Sequence, residues 1–380
     1  MTSTSLSATT ADERVALTRA RELASHGRGR VSPNPLVGAV VLRDGRIVGE
    51  GWHEGPGTPH AEVGALRVAG EKARGATVVC TLEPCSHHGR TPPCCDALIA
   101  AGVSRVVIGC LDPLERGRDG GASVLAAAGI DVAIAPDADA RACRELNAAF
   151  ITHALTGRPL VTLKLATSLD GKVATVAGET RWISGTESRA LVHRWRADSD
   201  AVAVGIGTAI ADDPELTARG IDGDFRQPMR VVFDGQARLP VDSALVQSAN
   251  VVPAVLVAAA DADAGRVARL RDAGVDVVQV AGDSGTRIAA GLAALAEREV
   301  QSLLLEGGPI LAEAFVAARA VDRVAWFIAP SLIGGCSAPG AFGGPGLGSL
   351  GEVPRLGALE VARVGDDVLI TGQLRPLVEA

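Results

Sequence analysis

The chain has 380 residues, of which 47% are hydrophobic and 21% are charged, and its formal net charge is -7. This length favours two domains, and the composition is that of a globular protein. The acidic balance and an aromatic content of 3%, without tyrosine, argue against a nucleic-acid surface, which needs cations and stacking platforms. We therefore expect a small phosphorylated substrate and no nucleic-acid partner.

Residues 1–11 are rich in serine and threonine and are predicted to form a disordered tail. They lack the charged start and apolar core of a secretory signal, and no apolar run is long enough to cross a membrane, so no membrane partner is expected. The chain has seven cysteines, an odd number, which favours metal ligation in a reducing cytoplasm over a disulfide framework. Short apolar edges are compatible with a homo-oligomer.

The first half begins with a predicted helix from Asp12 to Ala24, for which Asp12 is the expected N-cap. Apolar runs then alternate with helical patterns, which is typical of a layered α/β domain. The runs are Val37–Leu42, Thr77–Thr81, Arg105–Gly109 and Asp131–Ala135, and the helices are Ala61–Ala69, Cys95–Ala101 and Ala122–Ala128. We assign residues 12–151 to this domain.

A polar stretch containing glycine and proline, 152–159, predicts a hinge, so the second domain is assigned to residues 152–380. It repeats the strand pattern without any internal sequence repeat. Its predicted strands are Val161–Ala166, Ala201–Val204, Arg230–Asp234, Val251–Ala258, Val275–Val280, Ser302–Glu306, Arg323–Ile328 and Asp367–Thr371.

A candidate zinc site lies in the first half. His60, Cys85 and Cys94 offer one imidazole and two thiolates, and Glu62 follows the histidine by two residues. Three protein ligands leave the fourth tetrahedral position of zinc for water, whose pKa the metal lowers, and a nearby carboxylate can shuttle the proton. The alternative is a closed structural zinc site, in which Cys95, His87 or His88 supplies a fourth ligand. The carboxylate of Glu62 favours catalysis, because a structural site has no use for it.

Signals in the second half are weaker. No strand is followed by G-x-G-x-x-G, so a Rossmann dinucleotide fold is not supported. Gly307 and Gly308, between a buried strand and a predicted helix, can expose backbone N–H groups to a pyrophosphate, or can simply connect strand and helix. Lys164 and Asp170 are candidates for catalysis, with an ordinary ion pair or solvated loop charge as the alternative for each.

Three stretches resemble the deaminase domain of the bifunctional riboflavin-pathway deaminase/reductase family. They read Pro-Asn-Pro-Leu-Val-Gly from residue 33, His-Ala-Glu-Val from 60, and Thr-Leu-Glu-Pro-Cys-Ser-His-His-Gly-Arg-Thr-Pro-Pro-Cys from 81. The resemblance implies a cytidine-deaminase-like fold, with His60, Cys85 and Cys94 as zinc ligands and Glu62 as proton shuttle. Asn34 and His53 are then expected to hold the pyrimidine. The family's next motif departs here to Asp-Pro-Leu-Glu at 112–115, including Leu114 and Glu115, which affects the expected substrate contacts of this loop.

Segments at 164–171, 181–184, 204–214 and 303–309 resemble, in this order, the reductase domain of the same family. The resemblance implies a dihydrofolate-reductase-like C-terminal domain and NADPH as cofactor. Expected NADPH contacts are Ala166, Trp182, Thr208, Asp212, Gly308, Pro309, Ile310, Leu311, Ala312, Glu313 and Ala314. Expected substrate contacts are Thr180, Arg196, Leu216, Arg219 and Glu306. Trp182 has an alternative role as a core aromatic.

The resemblance thus implies deamination of 2,5-diamino-6-(5-phosphoribosylamino)pyrimidin-4(3H)-one, followed by NADPH reduction of the ribosyl group to ribityl. Arg196 and Arg219 would bind the ribose phosphate as charge-assisted forks. Two other classes stay open at this point. One is a nucleobase or RNA-editing deaminase with an appended domain, and the other is a noncatalytic protein in which zinc only stabilises the first domain.

Overall fold

The computed structural model describes residues 8–88, 92–115 and 120–377. The chain divides into two compact units, the first ending at Thr156 and the second spanning Gly157–Pro376. Residues 1–7 of the expected tail lie outside the described residues. Among the described helices, none is both long and apolar enough to cross a bilayer.

In the first unit the described strands form one sheet in the order β2-β1-β3-β4-β5. The strands are β1 (Gly38–Arg43), β2 (Arg46–Trp52), β3 (Thr77–Leu82), β4 (Arg105–Cys110) and β5 (Asp131–Ile134). The pairs β3-β4 and β4-β5 are parallel, whereas β1 pairs antiparallel with both β2 and β3. Apolar clusters lie on both faces of this sheet, as in a layered α/β domain.

The helices of the first unit are α1 (Ala11–Ser25), α2 (Ala61–Ala69), α3 (Cys94–Ala101), α4 (Gly121–Ala127), α5 (Asp137–Leu146) and α6 (Ala148–Thr156). The expected N-cap of α1, Asp12, is wrong. Thr10 is the N-cap, because its hydroxyl accepts the N–H of Glu13 while the Glu13 carboxylate accepts the N–H of Thr10. This reciprocal capping box satisfies two N–H groups that the helix itself cannot pair.

In the second unit the described strands form one sheet in the order β10-β9-β8-β7-β11-β6-β12-β14-β13. The strands are β6 (Leu160–Ser168), β7 (Ala201–Gly205), β8 (Met229–Phe233), β9 (Ala254–Ala259), β10 (Asp276–Val280), β11 (Ser302–Leu305), β12 (Arg323–Ala329), β13 (Gly357–Val364) and β14 (Asp367–Gln373). Pairing is parallel from β10 to β12 and antiparallel for the last two pairs.

The helices of the second unit are α7 (Thr186–Asp198), α8 (Ile206–Asp212), α9 (Ala244–Gln247), α10 (Ala264–Asp272), α11 (Ser284–Ala296) and α12 (Pro309–Ala317). The parallel strands all end at the same edge of the sheet, and α8 and α12 begin directly after β7 and β11. Ligands of open α/β sheets bind at this carboxyl edge. The edge therefore positions the residues expected to contact cofactor and substrate.

Candidate functional sites

The three predicted zinc ligands meet in the first unit. His60 is the N-cap of α2, Cys85 follows β3, and Cys94 begins α3. The Nδ1 atom of His60 lies 3.1 Å from the Sγ atom of Cys94 and 3.5 Å from that of Cys85. Zinc bonds of about 2.3 Å to sulfur and 2.0 Å to nitrogen set tetrahedral N···S separations of about 3.5 Å. The donor set therefore fits zinc.

The expected alternative ligands do not join this group. Within the described residues, the groups able to hold a metal together are His60, Cys85 and Cys94. The Cys95 thiol is turned away and donates to the carbonyl oxygens of Pro84 and Gly121, at 3.5 and 3.7 Å. His87 and His88 are exposed. The three-ligand arrangement favours an open catalytic site over a closed structural one.

The two ligand thiols differ in acidity before a metal binds. Hydrogen bonds from Cys94 and His60, acting against burial, lower the pKa of Cys85 to about 4. The backbone N–H at the start of α3 also donates to the Cys85 sulfur, at 3.3 Å. The contact with Cys85, together with burial, raises the pKa of Cys94. A divalent cation binds both sulfurs as thiolates, so its binding would displace any proton that they share.

Glu62 lies beside the ligands without belonging to the ligand group. Its side chain is buried, and one of its carboxylate oxygens lies 3.5 Å from the Cys94 sulfur. Burial raises the pKa of Glu62, against the nearby charge of His60. A carboxylate next to an open metal position, with a pKa moved towards neutrality, is suited to accepting and returning a proton.

Asn34 and His53 lie next to the ligand group. The Nδ2 atom of Asn34 is 2.9 Å from Nε2 of His53, and Nδ1 of His53 is 3.4 Å from the carbonyl oxygen of Pro59. The rings of His53 and His60 are 5.5 Å apart in a T-shaped arrangement. Burial lowers the pKa of His53, so a neutral ring that donates from Nδ1 and accepts at Nε2 satisfies both contacts.

Sequence reasoning gave no role to Glu83, which organises the loop with the unusual Asp-Pro-Leu-Glu sequence. Its buried carboxylate accepts the N–H groups of Asp112 at 3.1 Å and of Ala122 at 2.9 Å. The Asp112 carboxylate in turn accepts the N–H of Leu114, at 2.9 Å. This role of Glu83 could have been predicted from its position, because it places a carboxylate directly after a buried strand and before Pro84. These carboxylate contacts hold the described part of the loop in place, although its sequence departs from the family motif.

In the second unit, the starts of α8 and α12 lie side by side. A Cβ atom on Gly308 would lie 3.1 Å from the hydroxyl of Thr208, and one on Gly205 would lie 3.4 Å from Leu311. Glycine permits this approach, in which helix starts after neighbouring strands expose N–H groups at one edge. The structure therefore brings Thr208 and the 308–314 run together. The side chain of Ala312 is buried in the core, so only its backbone is available to a ligand.

Two other predicted residues, Thr180 and Asp212, meet at the end of α8. The Thr180 hydroxyl donates to the Asp212 carboxylate at 3.1 Å, and Arg181 donates to the Asp212 carbonyl at 2.6 Å. The Trp182 side chain is 71% exposed, with the Arg189 guanidinium 4.5 Å from its ring centroid. This exposure excludes the core-aromatic role for Trp182. Ala166 lies on β6, half-buried.

Arg196 and Glu306 form a buried ion pair. Two guanidinium nitrogens of Arg196 lie 2.6 and 3.0 Å from the two carboxylate oxygens of Glu306, and a third donates to the carbonyl of Thr217 at 3.1 Å. Burial works to raise the pKa of Glu306, but Arg196 and then Lys164 outweigh it and lower that pKa. Burial lowers the pKa of Lys164, opposed by Glu306.

The two arginines expected to hold a phosphate have different surroundings. Arg219 is exposed and pairs with Glu215, whereas Arg196 is mostly buried against Glu306. Both stand near His193, whose pKa is lowered first by burial and then by these two charges. Leu216, between Glu215 and Thr217, is buried. Sequence reasoning missed His193, which carried no motif.

Asp170 anchors a loop. Its carboxylate accepts hydrogen bonds from the Ser168 hydroxyl at 2.7 Å and from the N–H groups of Ile333 at 3.1 Å and Gly334 at 2.7 Å. These bonds, that of Ser168 first, lower the pKa of Asp170 to about 2. The described geometry supports a positioning role for Asp170 and gives no indication of proton transfer.

Comparison with known proteins places both units. Residues 10–110 match the cytidine and deoxycytidylate deaminase zinc-binding region, and residues 159–370 match the RibD C-terminal domain. Riboflavin biosynthesis protein RibD of Aquifex aeolicus is 41% identical over 356 residues, covering 92% of this chain and 95% of its own. RibD of Escherichia coli is 40% identical over 369 residues, covering 93% and 97%.

Solved structures agree over almost the whole length. An Acinetobacter baumannii RibD structure has a TM-score of 0.85 at 35% identity and covers 95% of this chain and 98% of its own. A diaminohydroxyphosphoribosylaminopyrimidine deaminase/5-amino-6-(5-phosphoribosylamino)uracil reductase from Thermotoga maritima has a TM-score of 0.83 at 34% identity, with the same coverage. The expected α/β fold, deaminase-like and then reductase-like, is confirmed.

Proposed function

Because the chain belongs to the RibD family of riboflavin biosynthesis proteins, we propose that it acts on 2,5-diamino-6-(5-phosphoribosylamino)pyrimidin-4(3H)-one and then on the deaminated product. It is a bifunctional enzyme, with a zinc-dependent deaminase and an NADPH-dependent reductase, and its substrate is a small pyrimidine.

The deaminase proposal rests on one observation: a three-ligand metal group next to a buried carboxylate outside that group. When bound, zinc supplies a water of lowered pKa as the nucleophile. Glu62 would take one proton from this water and pass it to the ring nitrogen, and would then pass the second proton of the same water to the departing amine, which leaves as ammonia. Its buried position excludes bulk water from the exchange.

Asn34 and His53 are proposed to position the pyrimidine. Since the Asn34 amide N–H is directed at His53, its carbonyl oxygen is the group available to accept an N–H of the ring. The contact between His53 and the Pro59 carbonyl oxygen fixes the His53 ring, and the ring in turn keeps the Asn34 side-chain amide in one orientation.

The reductase proposal rests on the adjoining starts of α8 and α12, where Thr208 meets Gly308. When bound, NADPH supplies the hydride. The backbone N–H groups after β7 and β11 would hold its pyrophosphate, and exposed Trp182 would pack against its nicotinamide half. Arg196 and Glu306 would orient the ribose, with Arg219 nearest the solvent for the phosphate.

Lys164 is proposed to supply the proton that accompanies reduction of the opened sugar. It is half-buried on β6 and lies close enough to Glu306 and Arg196 for their charges to act on its Nζ atom. Burial lowers its pKa, which makes its ammonium group a better proton donor than a solvated lysine. The negative charge of Glu306 opposes this effect.

The direct test mixes zinc-loaded protein with the diaminopyrimidinone ribosylamino phosphate and follows ammonia and NADPH absorbance separately. We expect ammonia to be released in the absence of NADPH. When NADPH is then added, we expect its absorbance to fall. Ammonia without NADPH oxidation would contradict the reductase assignment. If NADPH is oxidised when the deaminated product is supplied separately, but no ammonia is released from the first substrate, the deaminase assignment is contradicted.

We also propose that the protein works in a reducing compartment and that it self-associates. All seven cysteines are unpaired in the structure, which supports a reducing compartment such as the cytoplasm. Self-association is supported by the edge strand β13, where Leu359 and Val361 are 57% and 62% exposed. Light scattering coupled to size-exclusion chromatography checks the mass in solution.

A further inference from the structure

His193 lies on α7 beside the residues expected to contact the substrate of the reductase unit. It precedes Arg196 by three positions, so the two side chains are neighbours on one face of the helix. The backbone of Thr217 hydrogen-bonds the ring of His193, and the carbonyl oxygen of Thr217 also accepts from Arg196 at 3.1 Å. His193 and Arg196 are therefore directed at the same part of the chain.

The segment that carries Thr217 is held in place. Leu216, just before it, is buried. The N–H and the carbonyl oxygen of Ala218, just after it, both pair with the side-chain amide of Gln227, at 2.9 Å each. The fixed backbone of this segment gives the His193 ring a defined orientation.

One ring nitrogen of His193 lacks a protein partner. Within the described residues, its Nδ1 atom is buried and has no hydrogen-bond partner. Such atoms are uncommon in folded proteins, because a buried polar atom loses its hydrogen bonds to water and must replace them. A ligand group that hydrogen-bonds to Nδ1 would supply the replacement.

The surroundings favour the neutral form of this ring. Burial, and then the charges of Arg196 and Arg219, lower the pKa of His193, against the Thr217 backbone and Glu306. A neutral imidazole has one N–H donor and one acceptor nitrogen. Because the Thr217 carbonyl oxygen takes the donor, the ring offers an acceptor to a ligand. A hydroxyl group can donate to this acceptor, whereas a phosphate dianion, which only accepts, cannot.

We propose that His193 accepts a hydrogen bond at Nδ1 from a hydroxyl group of the pentose chain of the substrate, and so positions this chain beside Arg196 and Glu306. The inference rests on the proposed reductase function and adds a residue that recognises the sugar. The phosphate stays with Arg219, whose side chain is exposed to solvent. The hydroxyl-bearing chain is therefore the part of the substrate that His193 selects.

The test uses zinc-loaded full-length protein, saturating NADPH and the separately supplied deaminated product, and follows NADPH absorbance at a series of substrate concentrations. His193→Phe keeps a ring but has no acceptor, and we expect it to raise KM about fivefold. His193→Asn places a carbonyl oxygen where Nδ1 lies and should keep most of the wild-type affinity. Arg194→Gln is the matched control, because it removes an exposed charge at the next position of α7 and should leave KM and kcat unchanged.

Ribose 5-phosphate and inorganic phosphate, used as competitors of the deaminated product, separate the sugar from the phosphate. In His193→Phe, we expect the inhibition constant of ribose 5-phosphate to rise about fivefold. That of inorganic phosphate should stay at the wild-type value, because the proposed contact is with a hydroxyl group. An equal rise for both competitors would show that His193 binds the phosphate, and would overturn the inference.

The pH profile is a readout that a purely structural role would not change. Protonation removes the acceptor, so the wild-type KM should rise as the pH falls through the lowered pKa of His193, and His193→Asn should lack this rise. The other charged groups around the ring are Arg196, Arg219 and Glu306, with Glu215 paired to Arg219 and Lys164 acting on Glu306. These groups, and the substrate phosphate that titrates at about pH 6, are common to both proteins, so the ratio of the two KM values isolates the ring.

Two further outcomes would overturn the inference. One is a wild-type KM for His193→Phe, and the other is a ratio of the wild-type KM to that of His193→Asn that stays constant or falls at low pH. Thermal unfolding shows whether His193→Phe is misfolded, in which case the comparison of wild type with His193→Asn decides. Wild-type protein that does not oxidise NADPH with the deaminated product contradicts the proposed reductase function itself, and the inference with it.

Discussion

The carboxylate of Glu306 receives two hydrogen bonds from the guanidinium of Arg196, although the two residues are 110 positions apart. Both side chains are largely buried, at 14% and 10% exposure for the arginine and the glutamate. Such a pair is costly to break from one side, because the remaining charge stays buried without compensation. It links α7 to the end of β11 at the carboxyl edge of the sheet.

Arg196→Met should lower the free energy of unfolding by about 3 to 5 kcal/mol, since it leaves the Glu306 carboxylate buried without its hydrogen-bonded partner. The exposed pair between Arg219 and Glu215 offers the control. There, Arg219→Met should cost less than about 1 kcal/mol, because water already solvates both charges. Urea unfolding measures the free energy of unfolding of both variants. Equal losses in the two variants would show that burial of the Arg196–Glu306 pair has no energetic consequence.

Glu62→Gln should reduce ammonia release by about 10²- to 10⁴-fold, because the amide cannot take up the water proton. Zinc content should stay at the wild-type level, since Glu62 is not in the ligand group. The NADPH-dependent reduction of the deaminated product should be unaffected, because the candidate reductase site is in the other unit. Loss of zinc from this variant would instead identify Glu62 as a ligand.

Cys85→Ala should abolish stoichiometric zinc binding, while Cys95→Ala should retain it. Both substitutions remove a thiol close to α3, but only Cys85 belongs to the ligand group, whereas Cys95 donates to two carbonyl oxygens. Metal analysis of the purified variants decides between them. Zinc loss from Cys95→Ala, with its fold intact by circular dichroism, would favour the closed four-ligand site.

Asp170→Asn should destabilise the protein at neutral pH by an amount that shrinks as the pH falls. Hydrogen bonds from Ser168 and then from two backbone N–H groups lower the pKa of Asp170 from 3.8 to about 2 in the folded protein. A lowered carboxyl pKa contributes stability that is fully present above the unfolded value and is lost as the pH falls through the folded one. The difference between wild type and variant should therefore fade between about pH 4 and pH 2.

Urea unfolding midpoints, measured from pH 7 down to pH 2, follow this difference. The control is Asp366→Asn, whose side chain is 88% exposed in an ion pair with Arg363. Its midpoint should track the wild type throughout. A pH-independent difference for Asp170→Asn would show that the anchoring does not depend on the carboxylate charge.

The sequence patterns predicted the buried strands well and missed two edge strands. Apolar runs placed β6, β7 and β11 within one or two residues of their observed bounds. They gave no sign of β2 or β13, because these two edge strands contain no apolar run. The fully buried positions of β2 are glycines, and every residue of β13 except its last is exposed. The predicted hinge at 152–159 is also partly helical, as α6 continues to Thr156.

The sequence by itself determined the fold class, and it predicted His60, Cys85 and Cys94 as zinc ligands, because thiolate and imidazole chemistry is carried by residue type and by nearby spacing. Only the tertiary structure decided that the Cys95 thiol lies outside the candidate ligand group, that Asp170 anchors a loop, and that Arg196 pairs with Glu306. Those outcomes depend on where parallel strands end and on which helices follow them. That arrangement joins residues distant in the chain, which no local pattern records.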